Sequence, residues 1–168
     1  MTIRFGFGFD AHRLVEGRPF VLGGVRIAFE RGPLGHSDGD ALAHAVADAI
    51  LGGGALGDLG ALFPSSDARW KDADSLALLA ASVARARQAG FAVVNVDATV
   101  VVEAPRLGPH VGAMAAALAQ AIGVVPSAVS VKAKTSDGMG YTGDGSGVAA
   151  YAVAALESPA EATRPSGA

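Results

Sequence analysis

Asp10 and His12 stand two residues apart in Phe9-Asp10-Ala11-His12-Arg13. On a strand such residues face the same side, so a carboxylate and an imidazole converge, a pair that suits a divalent metal or an ordinary surface hydrogen bond. A second group lies in Gly35-His36-Ser37-Asp38-Gly39-Asp40-Ala41-Leu42-Ala43-His44, where two His and two Asp crowd a helix start. Asp40, His44 and Asp48 recur four residues apart and share one helical face. His44 is then a candidate third ligand, with Asp40 or Asp48 holding its other ring nitrogen. A capped helix whose His44 is satisfied by Asp40 fits the same pattern. Three of the chain's four His fall in these two segments, which favours the metal. Asp10, His12 and His44 would leave one coordination position open, as in catalytic rather than structural zinc sites. Water or a phosphate oxygen can fill it.

Two Gly-rich stretches are candidate anion sites. Gly57-Asp58-Leu59-Gly60 leads to Phe63-Pro64-Ser65-Ser66-Asp67, a turn with two hydroxyls. Lys132-Ala133-Lys134-Thr135-Ser136-Asp137-Gly138-Met139-Gly140-Tyr141-Thr142-Gly143 supplies cations, hydroxyls, pliant backbone and a carboxylate. Backbone N–H groups in such turns form anion-binding nests, and Asp137 can hold Mg²⁺ against phosphates. Neither stretch has the Walker A or Rossmann spacing, and solvated turns fit both. Glu103-Ala104-Pro105-Arg106-Leu107 reads as a generic strand-to-helix connection, and Trp70 as packing.

The elements that must position these groups alternate along the chain. Strands are predicted over Arg4–His12, Phe20–Phe29 with a turn at Gly23-Gly24, Gly90–Val102 and Val129–Thr135. Gly147–Leu156, rich in both Ala and Val, fits a strand or a helix, with a strand favoured. Ser37 or Asp38 is the expected cap of a helix from Gly39 to Leu51, closed by Gly52-Gly53-Gly54. Asp74 or Ser75 caps a second helix that Gly90 ends, and a third follows Pro109 and stops by Gly123. Interleaved strands and helices predict an α/β (α+β two-layer) fold, a small mixed sheet with helices on one face.

The 168 residues suit one domain, expected over 1–157, with a Pro/Ser/Glu/Thr/Gly-rich disordered tail over 158–168. The absence of Cys excludes disulfides, thiolate zinc sites and a cysteine nucleophile. A net charge of −3 gives no general attraction to nucleic acid or anionic membrane. Met1–Phe9 lacks the marks of a signal peptide, so a cytoplasmic protein is expected. Leu107–Val131 carries no Asp, Glu, Lys or Arg, yet Gly123 and Pro126 interrupt it and favour a helix followed by a strand over a membrane span.

Together these segments resemble the 2-C-methyl-D-erythritol 2,4-cyclodiphosphate synthase family of the non-mevalonate isoprenoid pathway, from about Phe5 to Leu156. The resemblance rests on Gly8-Phe9-Asp10-Ala11-His12, Gly23-Gly24-Val25-Arg26-Ile27, His36-Ser37-Asp38-Gly39-Asp40, Leu56-Gly57-Asp58-Leu59-Gly60 with Phe63-Pro64, and Lys132 to Gly143. With so few residues before the match, the chain resembles the stand-alone form rather than the bifunctional one. The resemblance implies a lyase reaction. The 2-phosphate of 4-diphosphocytidyl-2-C-methyl-D-erythritol 2-phosphate attacks the β-phosphorus of its own diphosphate, expelling CMP and closing a cyclic diphosphate. Asp10, His12 and His44 match the family's zinc ligands, and Asp137 the carboxylate that binds a second ion, Mg²⁺ or Mn²⁺, on the diphosphate. His36 and Ser37 match phosphate contacts, Asp58 and Gly60 the erythritol site, and Phe63, Ser65, Ser66 and Asp67 a neighbouring substrate loop. Ala104, Pro105, Arg106 and Leu107 match the cytidine pocket, and Thr135, Ser136 and Tyr141 positions near the diphosphate and nucleotide. His36, Thr135 and Lys134 are the implied supports of the transition state. A homotrimer with sites between subunits is implied as well.

Some positions depart from the family pattern. Asp144 stands for a usual Arg, Ser146 for a usual Glu, Asp137 for Glu, Lys134 for a frequent Thr and Ser65 for a frequent Asp. Two other readings use the same residues: a metal-dependent phosphoesterase that activates water, and a nucleotide-binding trimer that has lost turnover.

Overall fold

The computed structural model describes residues 1–159. β1 (Thr2–Glu16) extends beyond the expected Arg4–His12 at both ends. β2 (Phe20–Leu22) and β3 (Val25–Ile27) form the expected hairpin. Its turn residues Gly23 and Gly24 have φ of +55° and +72°, a region glycine enters without steric cost. β4 (Arg31–Pro33) was not foreseen. Three residues containing Gly and Pro carry no strand signature, and β4 exists because the end of β1 pairs with it.

The rest follows the predicted alternation: α1 (Ala41–Gly53), α2 (Leu59–Leu62), α3 (Ser75–Gln88), β5 (Ala92–Val101), α4 (Val111–Ile122), β6 (Val129–Lys134), α5 (Gly140–Gly143) and β7 (Gly147–Ser158). The single turns α2 and α5 fall inside the Gly-rich stretches read as loops. Strand order is β4-β1-β7-β5-β6. All neighbours are antiparallel except β5 and β6, whose parallel pairing requires the crossover that α4 supplies. Leu107–Val131 thus resolves into α4, a turn and the start of β6, with Gly123 closing α4 in the left-handed region at φ +78°. No helix among the described residues is long and apolar enough to cross a membrane. Ser158 closes β7 and Pro159 follows it; the remainder of the expected tail, 160–168, lies outside the described residues.

Helix caps needed one correction. The residue capping α1 is Asp40, not Ser37 or Asp38, and its carboxylate accepts from the Ala43 N–H. Asp74 caps α3 as anticipated.

The core explains how the site is positioned. α1 is buried nearly all round and packs on β1 and β7, while α3 and α4 complete the helical layer. Its alternate Ala residues let its backbone come unusually close to β1 at Gly6 and Gly8. A Cβ on Gly8 would lie 1.9 Å from the Ala45 carbonyl oxygen, and one on Gly6 1.8 Å from that of Ala49. Backbone, not a flexible side-chain end, blocks both positions. Gly8→Ala must therefore push α1 off the sheet, at a cost of about 3 kcal/mol or more, above ordinary overpacking. Chemical denaturation should show a clear drop in midpoint, and an unchanged midpoint would refute the contact.

Candidate metal centre

Alternation along β1 puts Gly6, Gly8, Asp10 and His12 on the face that α1 covers. The glycines bring the helix close, and the next two positions on that face carry ligands. His44 arrives from α1. Its Nδ1 lies 2.9 Å from Asp10 Oδ2, His12 Nε2 lies 2.9 Å from the same oxygen, and the two ring nitrogens are 3.4 Å apart. His12 Nδ1 donates to the Leu34 carbonyl at 2.8 Å, which leaves Nε2 with its lone pair toward the group. Among the described residues this is the one group of three metal-capable side chains. One oxygen and two imidazole nitrogens converging in a half-buried cluster fit a divalent metal, and the donor set suits zinc and its neighbours alike.

The supports of His44 differ from expectation. Its Nε2 meets Ser75 Oγ at 2.8 Å and Ser37 Oγ at 3.1 Å. Asp40 and Asp48 hold other groups. Asp40, fully buried, accepts from Gly23 N–H at 2.8 Å and Gly24 N–H at 2.7 Å, tying the β2–β3 hairpin to the start of α1. Asp48 accepts from Leu59 N–H at 2.7 Å. Sharing a helical face aligned these carboxylates with His44, but unpaired backbone donors claimed them.

Electrostatics follow from this packing. Burial pulls the Asp10 carboxyl upward, but the His12 and His44 imidazoles beside it outweigh that and hold its pKa down at about 2. Burial pulls His12 down, and the hydrogen bond and charge of Asp10 outweigh that and raise it above 6.5. Burial raises Asp40 and, with the nearby Asp58 and Asp10 charges, Asp48. A raised His12 binds a proton that a metal must displace, because only neutral imidazole is a ligand. Metal binding is thus expected to release protons, with affinity falling as pH drops through the His12 titration. Calorimetry in buffers of different ionisation enthalpy counts those protons; affinity flat from about pH 8 to 5.5 would contradict the assignment.

The triad opens into a cavity of about 330 Å³ that His36, Ser37, Gly60, Phe63 and Ser65 also line. Leu59, Trp70 and Leu78 complete it, three residues that sequence reasoning did not assign to the site. Trp70 does pack, edge-on against Phe63 with ring centroids 5.0 Å apart, and the pair walls the cavity. Asp58 caps α2 through the Ala61 N–H, and Asp67 is engaged by Arg69 at 2.6 Å. Ser66 is exposed.

A second cavity, of about 600 Å³, brings Pro105, Arg106 and Leu107 together with Lys134 and Thr135. Ala104 joins Pro105 through a cis peptide bond. Among the described residues none lines both cavities. They share an end of the sheet, since Asp10 and Val100 both pair with Ala150. Asp137 is exposed, with φ +51°, and accepts from the Thr135 hydroxyl at 3.2 Å; among the described residues it joins no group of three metal-capable side chains. Ser136 bonds Thr142 at 2.7 Å, and Tyr141 lines a 260 Å³ hollow that shares His12 with the triad cavity and is also lined by Arg13 and Ser146.

The chain matches the YgbB family over residues 3–157. It belongs to the YgbB family. Its relatives include the 2-C-methyl-D-erythritol 2,4-cyclodiphosphate synthase of Salinibacter ruber, 57% identical over 93% of this chain and 99% of that protein. Among solved structures, the bifunctional IspDF from Campylobacter jejuni superposes with a TM-score of 0.90 at 37% identity, covering 94% of this chain and 43% of that longer one. A 2C-methyl-D-erythritol-2,4-cyclodiphosphate synthase in its CDP-bound form gives 0.84 at 37% identity, over 92% of this chain and all of that one. The matched span, residues 3–157, contains Asp10, His12 and His44.

Proposed function

We propose that the chain is a 2-C-methyl-D-erythritol 2,4-cyclodiphosphate synthase, a lyase of isoprenoid precursor biosynthesis acting as a cytoplasmic homotrimer. A 2-phosphate oxygen of 4-diphosphocytidyl-2-C-methyl-D-erythritol 2-phosphate forms a bond to the β-phosphorus of the same molecule. The P–O bond to the α-phosphate breaks, and CMP leaves with the electron pair. The observation that carries this reading is the meeting of Asp10, His12 and His44 in an open cavity of a chain so close to named cyclodiphosphate synthases. Those relatives favour it over a water-activating phosphoesterase or an inactive nucleotide binder.

Asp10, His12 and His44 would hold the metal, for which zinc is our assignment, and it would supply a Lewis acid for a phosphate oxygen. The protein's own task is positioning, since phosphoryl transfer needs little covalent help and two phosphates on one molecule repel. In this reading His36 and Ser37 face the phosphate beside the triad. Asp58, Gly60 and the Phe63–Asp67 loop seat the erythritol. Ala104 to Leu107 seat the cytosine, and Lys134, Thr135, Ser136 and Tyr141 lie along the diphosphate and nucleotide. Asp137 would share Mg²⁺ or Mn²⁺ with the diphosphate. Asp144, whose carboxylate accepts from the Ser146 N–H, offers no cation there.

Trimer formation is supported by the sheet face opposite the helices. Phe5, Phe7 and Phe9 are 73%, 64% and 45% exposed, and Phe7 pairs with Val153 and Phe9 with Tyr151 across β1 and β7. A contiguous apolar face of this kind marks an association surface. Two separate cavities per chain also suit a site built from neighbouring subunits. Phosphorus-31 NMR of purified protein with substrate, zinc and magnesium should report cyclic diphosphate and CMP in equal amounts. A linear product carrying solvent oxygen would overturn the proposal.

A further inference from the structure

Behind His44, a part-buried hydrogen-bond chain runs through the buried Ser75 to a carboxylate that the proposed reaction does not use. Ser75, 1% exposed at the first turn of α3, has its Oγ 2.8 Å from His44 Nε2. The same hydroxyl donates to Asp38 Oδ1, and the Ser75 N–H donates to Asp38 Oδ2 at 3.0 Å. Asp38 Oδ1 also accepts the Asp40 N–H at 3.1 Å, which fixes the carboxylate between the starts of α1 and α3.

A serine hydroxyl has one proton, and a carboxylate only accepts. With that proton committed to Asp38, Ser75 Oγ can face His44 only as an acceptor. His44 must then carry its proton on Nε2. Ser37 Oγ, 3.1 Å from the same nitrogen, already accepts the Gly39 N–H at 3.3 Å and lies 3.4 Å from Ser75 Oγ, so its own proton has Ser75 as an outlet. The Nδ1 lone pair is thereby left pointing at the Asp10 and His12 donors. Without such a constraint the opposite tautomer would be favoured, because Nδ1–H would donate to Asp10 Oδ2 at 2.9 Å and close the site against a cation.

We propose that Ser75 and Asp38 are positioning residues that lock His44 as the Nε2–H tautomer and keep its Nδ1 open to a metal. The inference rests on the metal-centre reading above. Carboxylate-backed outer partners of this type orient a ligating imidazole and strengthen its donor nitrogen, and their loss commonly weakens metal binding by about 10- to 100-fold.

Long-range proton–nitrogen NMR on the metal-free protein reads the tautomer directly. The wild type should show His44 as Nε2–H. Ser75→Ala removes the nearer acceptor and the outlet for the Ser37 proton, leaving the Ser37 hydroxyl to donate to Nε2, and should move the His44 proton toward Nδ1. Asp38→Ala removes the acceptor that holds the Ser75 proton, freeing it to point at His44, with the same result. Zinc affinity, measured by competition with a chromogenic chelator, should fall about 10- to 100-fold in both variants. Ser75→Thr keeps the hydroxyl and should restore it. An Nε2–H tautomer and wild-type zinc affinity in a folded Ser75→Ala protein would overturn the proposal, and Asp38→Ala decides it if Ser75→Ala does not fold. A wild type that takes up no zinc would overturn the metal centre instead; the tautomer measurement, made without metal, still decides the relay.

Discussion

His44→Ala is expected to lower turnover by about 10³-fold or more, beyond what losing an outer partner costs, while leaving a folded chain. The helix that carries it is held by other residues: Leu42, Val46 and Ile50 are fully buried, and Asp40 caps the helix start. Removing the half-buried imidazole therefore subtracts little packing. It does remove one of three donors, and the remaining Asp10 and His12 form only a two-ligand grip. Single-turnover kinetics at saturating zinc, with circular dichroism as the control, make the check. A variant turning over at even one-tenth of the wild-type rate would contradict the assigned role of His44.

Phe7→Asp is the second large effect. In the proposed trimer the exposed stripe of Phe5, Phe7 and Phe9 becomes buried, each ring adding about 1.5–3 kcal/mol of apolar burial. A carboxylate there would have to enter an apolar contact with no partner, a penalty of several kcal/mol per chain. On the isolated chain the same position faces water, on the side away from α1, so the fold should survive. Light scattering should find monomers. Turnover should be lost while zinc binding persists, because Asp10, His12 and His44 come from one chain and the second cavity would come from a neighbour. A trimer of unchanged mass, or an active monomer, would refute the placement of the site between subunits.

The readable parts of this protein are those governed by local rules. The expected strand over Arg4–His12 puts Asp10 and His12, two apart, on one side, and β1 has that geometry. Small residues at the break points ended α1 and α4 where expected. The candidate ligand set was legible for the same reason: unusual residue types at strand and helix spacings. β4, α2 and α5 escaped notice because each is a few residues long and exists through its contacts rather than its composition. Ser75 escaped as a partner of His44 because 31 positions separate them, and a serine at a helix start already had a sufficient explanation as a cap.

By itself, then, the amino-acid sequence determined the alternating elements, the glycines that permit close packing and the three side chains able to bind a cation. Only the tertiary structure decided that Asp40 serves the β2–β3 hairpin, that Asp38 reaches His44 through Ser75, and that one sheet face is left bare. The physical reason is range. Strand and helix periods are set within a few residues, whereas a polar group's final partner depends on which buried donors and acceptors the packed layers leave unsatisfied.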